Sequence, residues 1–165
     1  MVTGASDGIG KAFCEELARE GFNIILIARD KIKLENVVQI LKKIKPSIKT
    51  EIIVQDFTNA AKSGFFGEIL SDIEDFDISL LVKNVGIEIM ENFENITPQF
   101  LKDMIVVNTL PMVILTKAVL QKIKNRKHRS GIINLSSLSG VEPLPFFTIY
   151  SPTKRFAHIF SRSLT

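Results

Sequence analysis

Tryptophan is absent from this 165-residue chain, tyrosine and cysteine each occur once, and histidine occurs twice. A lone cysteine, Cys14, excludes an internal disulfide framework and fits a reducing compartment. His128 and His158 have no partners at metal-ligand spacing, so no metal site is expected. Excess charge is missing too: 21 Lys and Arg against 18 Asp and Glu leave a net charge of +3. Without interleaved basic and aromatic residues, nucleic acid is not an expected partner. No apolar run reaches the ~20 residues of a bilayer span, and no signal peptide opens the chain. Membrane contact is therefore expected only through segments outside this sequence.

What the chain does have is alternation. Short runs rich in β-branched residues, at 24–28, 52–54, 78–82 and 132–135, read as buried parallel strands. Amphipathic stretches between them predict helices at about 8–20, 31–44, 60–74, 98–125 and 149–164. Asp30 suits a helix cap, and Thr97-Pro98 supplies a cap followed by proline at the first helical position. Strand–helix alternation implies one doubly wound α/β domain over 1–165, a parallel sheet with helices on both faces. Only residues 1–3 precede the first glycine, and the chain stops inside its last helix. Such sheets normally continue with more strands, so the domain is expected to be incomplete at both ends.

Residues 3–10 read TGASDGIG, between a strand stub and a helix. Gly4 permits a tight turn, Gly8 lets backbone N–H groups approach a phosphate, and Gly10 lets the helix pack closely on the sheet. A dinucleotide pyrophosphate would sit at the helix N-terminus; a plain strand-to-helix turn is the other reading. The second strand ends in Ala28-Arg29-Asp30. A planar guanidinium suits a ribose 2′-phosphate, which favours NADP(H) over NAD(H). Arg29 as a solvated strand-end cation is the alternative.

Tyr150 has Lys154 one helical turn behind it, Ser137 thirteen residues before it, and Asn108 twenty-nine before Ser137. Asp56 follows the third strand and Asn84-Val85-Gly86 the fourth. All fall at the carboxyl ends of strands or in helices lining that edge, where open α/β sheets bind ligands. In this order and spacing they resemble the short-chain dehydrogenase/reductase family over essentially the whole chain. Within it, DGIGKAFCEELAREGFNIILIARDKIKL and GIINLSSLSGVEPLPFFTIYSPTK are similar to the branch of 17β-hydroxysteroid dehydrogenases and very-long-chain 3-oxoacyl-CoA reductases.

The resemblance implies a Rossmann-type sheet and reduction of a 3-oxoacyl-CoA or steroid 17-ketone by hydride transfer. Tyr150 would be the general acid and Lys154 would favour its phenolate while holding the ribose. Ser137 would orient the substrate oxygen, and Asn108 would position a water on the proton path. Gly4, Ser6, Asp7, Gly8, Ile9, Gly10, Arg29, Asp56, Asn84 and Gly86 would hold the cofactor together with Tyr150 and Lys154, Asp56 at the adenine. The family also implies a homodimer and an endoplasmic-reticulum or cytoplasmic location. Lys83 departs from it, standing where an Asn-Asn-x-Gly stretch usually begins. Pro152 falls close enough to a helix start to be tolerated. The competing reading is a non-catalytic, nucleotide-binding or structural fragment. A serine hydrolase built on Ser137 is excluded, because no G-x-S-x-G elbow exists. The basic cluster 122–129 complements a helix C-terminus, with a membrane or CoA-phosphate contact as its second reading.

Overall fold

The computed structural model describes residues 1–164. In chain order the elements are β1 (Val2–Thr3), α1 (Gly8–Arg19), β2 (Ile24–Ala28), α2 (Lys31–Ile44), β3 (Thr50–Val54), α3 (Phe65–Asp72), β4 (Leu80–Lys83), α4 (Pro98–Lys124), β5 (Gly131–Asn134) and α5 (Tyr150–Arg162). The strands form one parallel five-stranded sheet ordered β3-β2-β1-β4-β5. The order reverses between β1 and β4, and that switch point sets the site described below.

The sheet is apolar on both sides because alternate strand residues feed two cores. Ile25, Ile27 and Leu81 pack with Ile69 of α3 and with Val107, Leu115 and Val119 of α4. Val2, Ile24, Leu26 and Val82 pack instead with Cys14 and Ala18 of α1 and with Leu34, Val37 and Leu41 of α2. Each such buried aliphatic side chain contributes about 1.5–3 kcal/mol. Every residue of β2 is buried, whereas Glu51 and Val54 of β3 are exposed and all of β5 is half-buried. The expectation of uniformly buried strands fails for these two because they end the sheet.

Helix starts follow their caps. The Asp30 carboxylate accepts from Lys33 N at 2.9 Å, and the Thr97 hydroxyl from Phe100 N at 3.3 Å. The expected helix over 60–74 is shorter: Asp56 caps a separate short turn at Phe57–Asn59, and Gly64, at φ +84°, starts α3 afresh. Burial raises the Cys14 thiol to about 12, so a colorimetric thiol reagent is expected to leave it unmodified until the chain unfolds.

A further correction concerns α4. It is long and apolar enough to cross a bilayer, contrary to the expectation that no segment here is. Yet Met104, Val107, Met112 and Leu115 are buried within the fold, which makes α4 a core helix. The basic cluster at its end lies at the amino ends of the strands, away from the cleft. There Lys122 donates to the carbonyls of Ile73 (2.9 Å) and Phe76 (3.4 Å), and Arg126 pairs with Asp77. Lys122 and Arg126 thus tie down the segment that follows α3.

Candidate active site

At the switch point a cleft of about 580 Å³ opens over the carboxyl ends of the strands. Its floor is the turn after β1. The Asp7 carboxylate caps α1 by accepting from Gly8 N at 2.8 Å, and its other oxygen takes Lys33 Nζ of α2 at 3.1 Å. Lys33 and the Gly8 N–H together hold this carboxyl below its usual range. The turn is locked to β4 by Asn84, whose amide donates to the carbonyls of Thr3 (3.3 Å) and Gly4 (3.2 Å). The Thr3 hydroxyl oxygen accepts from the backbone N–H of Asn84 and of Val85. Gly10 is buried where α1 crosses this turn, and a Cβ there would collide with the Gly4 carbonyl.

Eleven of the sequence-predicted residues line the cleft: Gly4, Ser6, Asp7, Gly8, Ile9, Arg29, Asp56, Asn84, Gly86, Tyr150 and Lys154. Arg29 is exposed at its rim, and Asp56 is half-buried with one oxygen holding Thr58. The remaining three, Gly10, Asn108 and Ser137, are not part of that lining, though Ser137 is half-buried and hydrogen-bonded to Tyr150. Gly10 serves packing. Asn108 is buried, accepting from Ile87 N (2.9 Å) and donating to Ile87 O and Thr153 Oγ1 (3.0 Å each). It therefore clamps the main chain after Gly86. A Cβ on Gly86 would stand 3.2 Å from Asn108 Oδ1 and 3.3 Å from Lys154 Nζ, so these two groups flank one point of the wall.

Tyr150 opens α5, which leaves Pro152 in the first turn, where its missing N–H costs no helical bond. Lys154 is buried one turn on, with Nζ 5.5 Å from the Tyr150 ring centre and donating to Leu135 O at 3.2 Å. Ser136 fixes the same turn by donating to Lys154 O at 2.7 Å. Ser137 accepts from Ser139 N (3.2 Å) and from the Ser139 hydroxyl (3.0 Å), so its own hydrogen is directed to the Tyr150 side or to a substrate oxygen. Burial above all pushes the Tyr150 phenol up; a Ser137 hydrogen bond opposes this, and Glu88 adds to it. Burial lowers Lys154, while Glu88 raises it. In the cofactor-free chain the balance of these effects favours the protonated phenol. The Lys154 amino group gives one hydrogen bond to Leu135 O and lies over the ring face, which leaves further N–H donors for a ligand.

Sequence reading missed the residues that hold these in place. Thr3 and Thr153 gave no signal because their partners are distant in sequence, Asn84 and Val85 for Thr3 and Asn108 for Thr153. Lys33 was hidden among many cations, and Glu88 became visible only when its loop was placed facing Tyr150.

The short chain dehydrogenase family profile matches residues 1–165. The chain is 39% identical over 168 residues to very-long-chain 3-oxoacyl-CoA reductase-B of Danio rerio, covering 99% of this chain and 52% of that one. Hydroxysteroid dehydrogenase-like protein 1 of Gallus gallus is 38% identical over 166 residues, with 99% and 49% covered. The chain thus spans about half the length of these relatives. Among solved structures, a short-chain dehydrogenase from Sphingobium yanoikuyae in complex with NADPH superposes with a TM-score of 0.88 at 27% identity, over 99% of this chain and 63% of that one. With its profile matched end to end and its glycine turn, switch point and Tyr-Lys helix in place, the chain belongs to the short-chain dehydrogenase family.

Proposed function

We propose that this chain carries the cofactor site and catalytic groups of an NADPH-dependent reductase. Its substrate would be a ketone, a 3-oxoacyl-CoA or a steroid 17-ketone, reduced to the alcohol. One observation carries the reading: a single cleft runs from the glycine turn to Tyr150 and Lys154. Its volume lies in the range of small-molecule sites, and its turn brings the N-terminus of α1, capped by Asp7, to the cleft where a pyrophosphate would sit. The relatives named as 3-oxoacyl-CoA reductase and the NADPH complex support the same choice.

Bound NADPH supplies the hydride. The chain does the rest. Gly4, Ser6, Gly8 and Ile9 receive the pyrophosphate, Arg29 meets the 2′-phosphate, and Asp56 faces the adenine. Ser137 donates its hydrogen to the ketone oxygen and orients it. Tyr150 gives that oxygen its proton, and its raised phenol keeps the proton available. Lys154 holds the ribose, and Asn108 fixes the Gly86–Ile87 wall against it. Leu138, Val141, Leu144 and Phe146 leave an exposed apolar rim on the loop before Tyr150, suited to an acyl chain or steroid ring.

Ketone reduction by wild type tests this directly: NADPH consumption with 3-oxoacyl-CoA and steroid 17-ketones is expected. A folded sample that binds nucleotide but turns over no ketone leaves the non-catalytic reading. The pH profile has a definite sign. An acid with a raised pKa acts while protonated, so reduction stays level through neutrality and falls only at alkaline pH, and alcohol oxidation rises over that alkaline range. Initial rates from about pH 6 to about pH 11 check this.

Arg29→Ala is expected to weaken NADPH binding about 10- to 100-fold, the loss of one or two charge-assisted hydrogen bonds, and to leave NADH unaffected. Equal weakening of both, by fluorescence titration, contradicts the 2′-phosphate role. The exposed Ile105 of α4 and Phe156 and Ile159 of α5 extend the proposal to a homodimer through these helices, testable by sedimentation. An endoplasmic-reticulum or cytoplasmic location follows the family.

A further inference from the structure

Lys83 is the last residue of β4 and is 3% exposed. No catalytic step above uses it. Its Nζ donates to Met112 O of α4 at 2.8 Å and to the Thr116 hydroxyl, and lies 5.1 Å from the centre of the Phe160 ring on α5. Met112 and Thr116 stand one and two turns from Asn108 on the same stripe of α4. The Lys83 main chain points the other way along the site: its carbonyl accepts from Leu135 N at 2.9 Å, and Leu135 O receives Lys154 Nζ at 3.2 Å. One residue thus touches both helices that carry the catalytic groups and the strand that anchors Lys154.

We propose that Lys83 is a positioning residue for the site, its amino group locking the end of β4 to α4 and α5 so that the Leu135 anchor of Lys154 and the Asn108-clamped turn at Gly86–Ile87 keep their places. The proposal rests on the reading of Tyr150 and Lys154 as the catalytic pair.

The lock responds to protonation. Among the described residues, no carboxylate faces the amino group from any element packed on it. β1 offers Val2 and Thr3, and β5 has no ionisable residue. The buried residues of α4 are all uncharged. On α5 the ionisable neighbours are the buried Lys154, itself a cation, and the half-buried His158. Burial pushes Lys83 down to about 7. The neutral amine is satisfied by Met112, Thr116 and the ring face. Protonation places an uncompensated charge there and loosens the seam.

The test follows Lys83 and the site together. In the cofactor-free chain, the side-chain carbon signal of Lys83 is titrated by NMR alongside the backbone amides of Ile87 and Leu135. All three are expected to move with one midpoint, near pH 7, and the two amides to stay flat there in Lys83→Met, which keeps the stem and loses the amine. In turnover, Lys83→Met is expected to lower kcat about 10- to 100-fold with little change in KM for the ketone. Amides that stay flat while Lys83 titrates overturn the proposal, and so does a Lys83 that titrates in the ordinary lysine range. A variant that lowers the melting temperature but keeps kcat also overturns it. Should Lys83→Met fail to fold, Lys83→Asn, the residue usual in the family, takes its place. If wild type neither binds NADPH nor turns over while the three signals still move together, it is the catalytic reading that fails.

Discussion

Tyr150→Phe removes about 10²- to 10⁴-fold of ketone-reducing kcat, the usual contribution of a positioned general acid. NADPH affinity changes by no more than about tenfold, because at most one neutral hydrogen bond is lost. The melting temperature stays close to wild type, since the ring remains against Phe147 at a centroid distance of 5.5 Å. The three results belong together. Protonation of the substrate oxygen needs the phenol, whereas the fold and the cofactor cradle are held by other groups. Lys154 stays anchored on Leu135 and Asn84 on the glycine turn, whatever occupies position 150. Retained kcat in the variant would move the proton to another donor. A collapse of stability would make Tyr150 a packing residue instead.

Gly10→Ala has the second large effect. The added Cβ would lie 2.8 Å from Gly4 C and closer still to the Gly4 carbonyl oxygen and the Asn84 amide. These are backbone and clamped groups with no rotamer to yield, so α1 must back away from the turn. Overpacking of this kind costs about 1–3 kcal/mol. For a chain of this size that is a fall of roughly 3–10 °C in melting temperature. Because the shift opens the Gly4–Asn84 lock, NADPH affinity falls in the variant even at temperatures where it is folded. Thermal unfolding and a cofactor titration check both parts. An unchanged melting temperature would mean that α1 does not approach the sheet as closely as described.

How much of this was legible beforehand depended on whether the signal was local. β2 is buried on both faces, and its apolar run announced it. Asp30 and Thr97-Pro98 marked helix starts because capping is a contact within four residues. The helix expected at 60–74 was misread over its first turn, since Gly64 interrupts an apolar pattern that continues across it. The half-exposed faces of β3 and β5 could not be read, because strand order is a tertiary fact. The candidate site divides in the same way. Tyr150, Lys154 and the glycine turn were found by spacing along single elements. Asn108 was found too, but its place behind the wall, bonded to Ile87 and Thr153, joins residues 21 and 45 positions away. Lys83 stood out in sequence only as a departure. Its partners on α4 lie 29 and 33 residues on, beyond the reach of any local pattern.

The measurement that bears most directly on the central claim is a side-by-side titration of the chain with NADPH and NADH at fixed salt. The account predicts saturable binding of NADPH at least about tenfold tighter than NADH, the worth of the Arg29 contact to the 2′-phosphate. Failure of a folded sample to bind either nucleotide would contradict it.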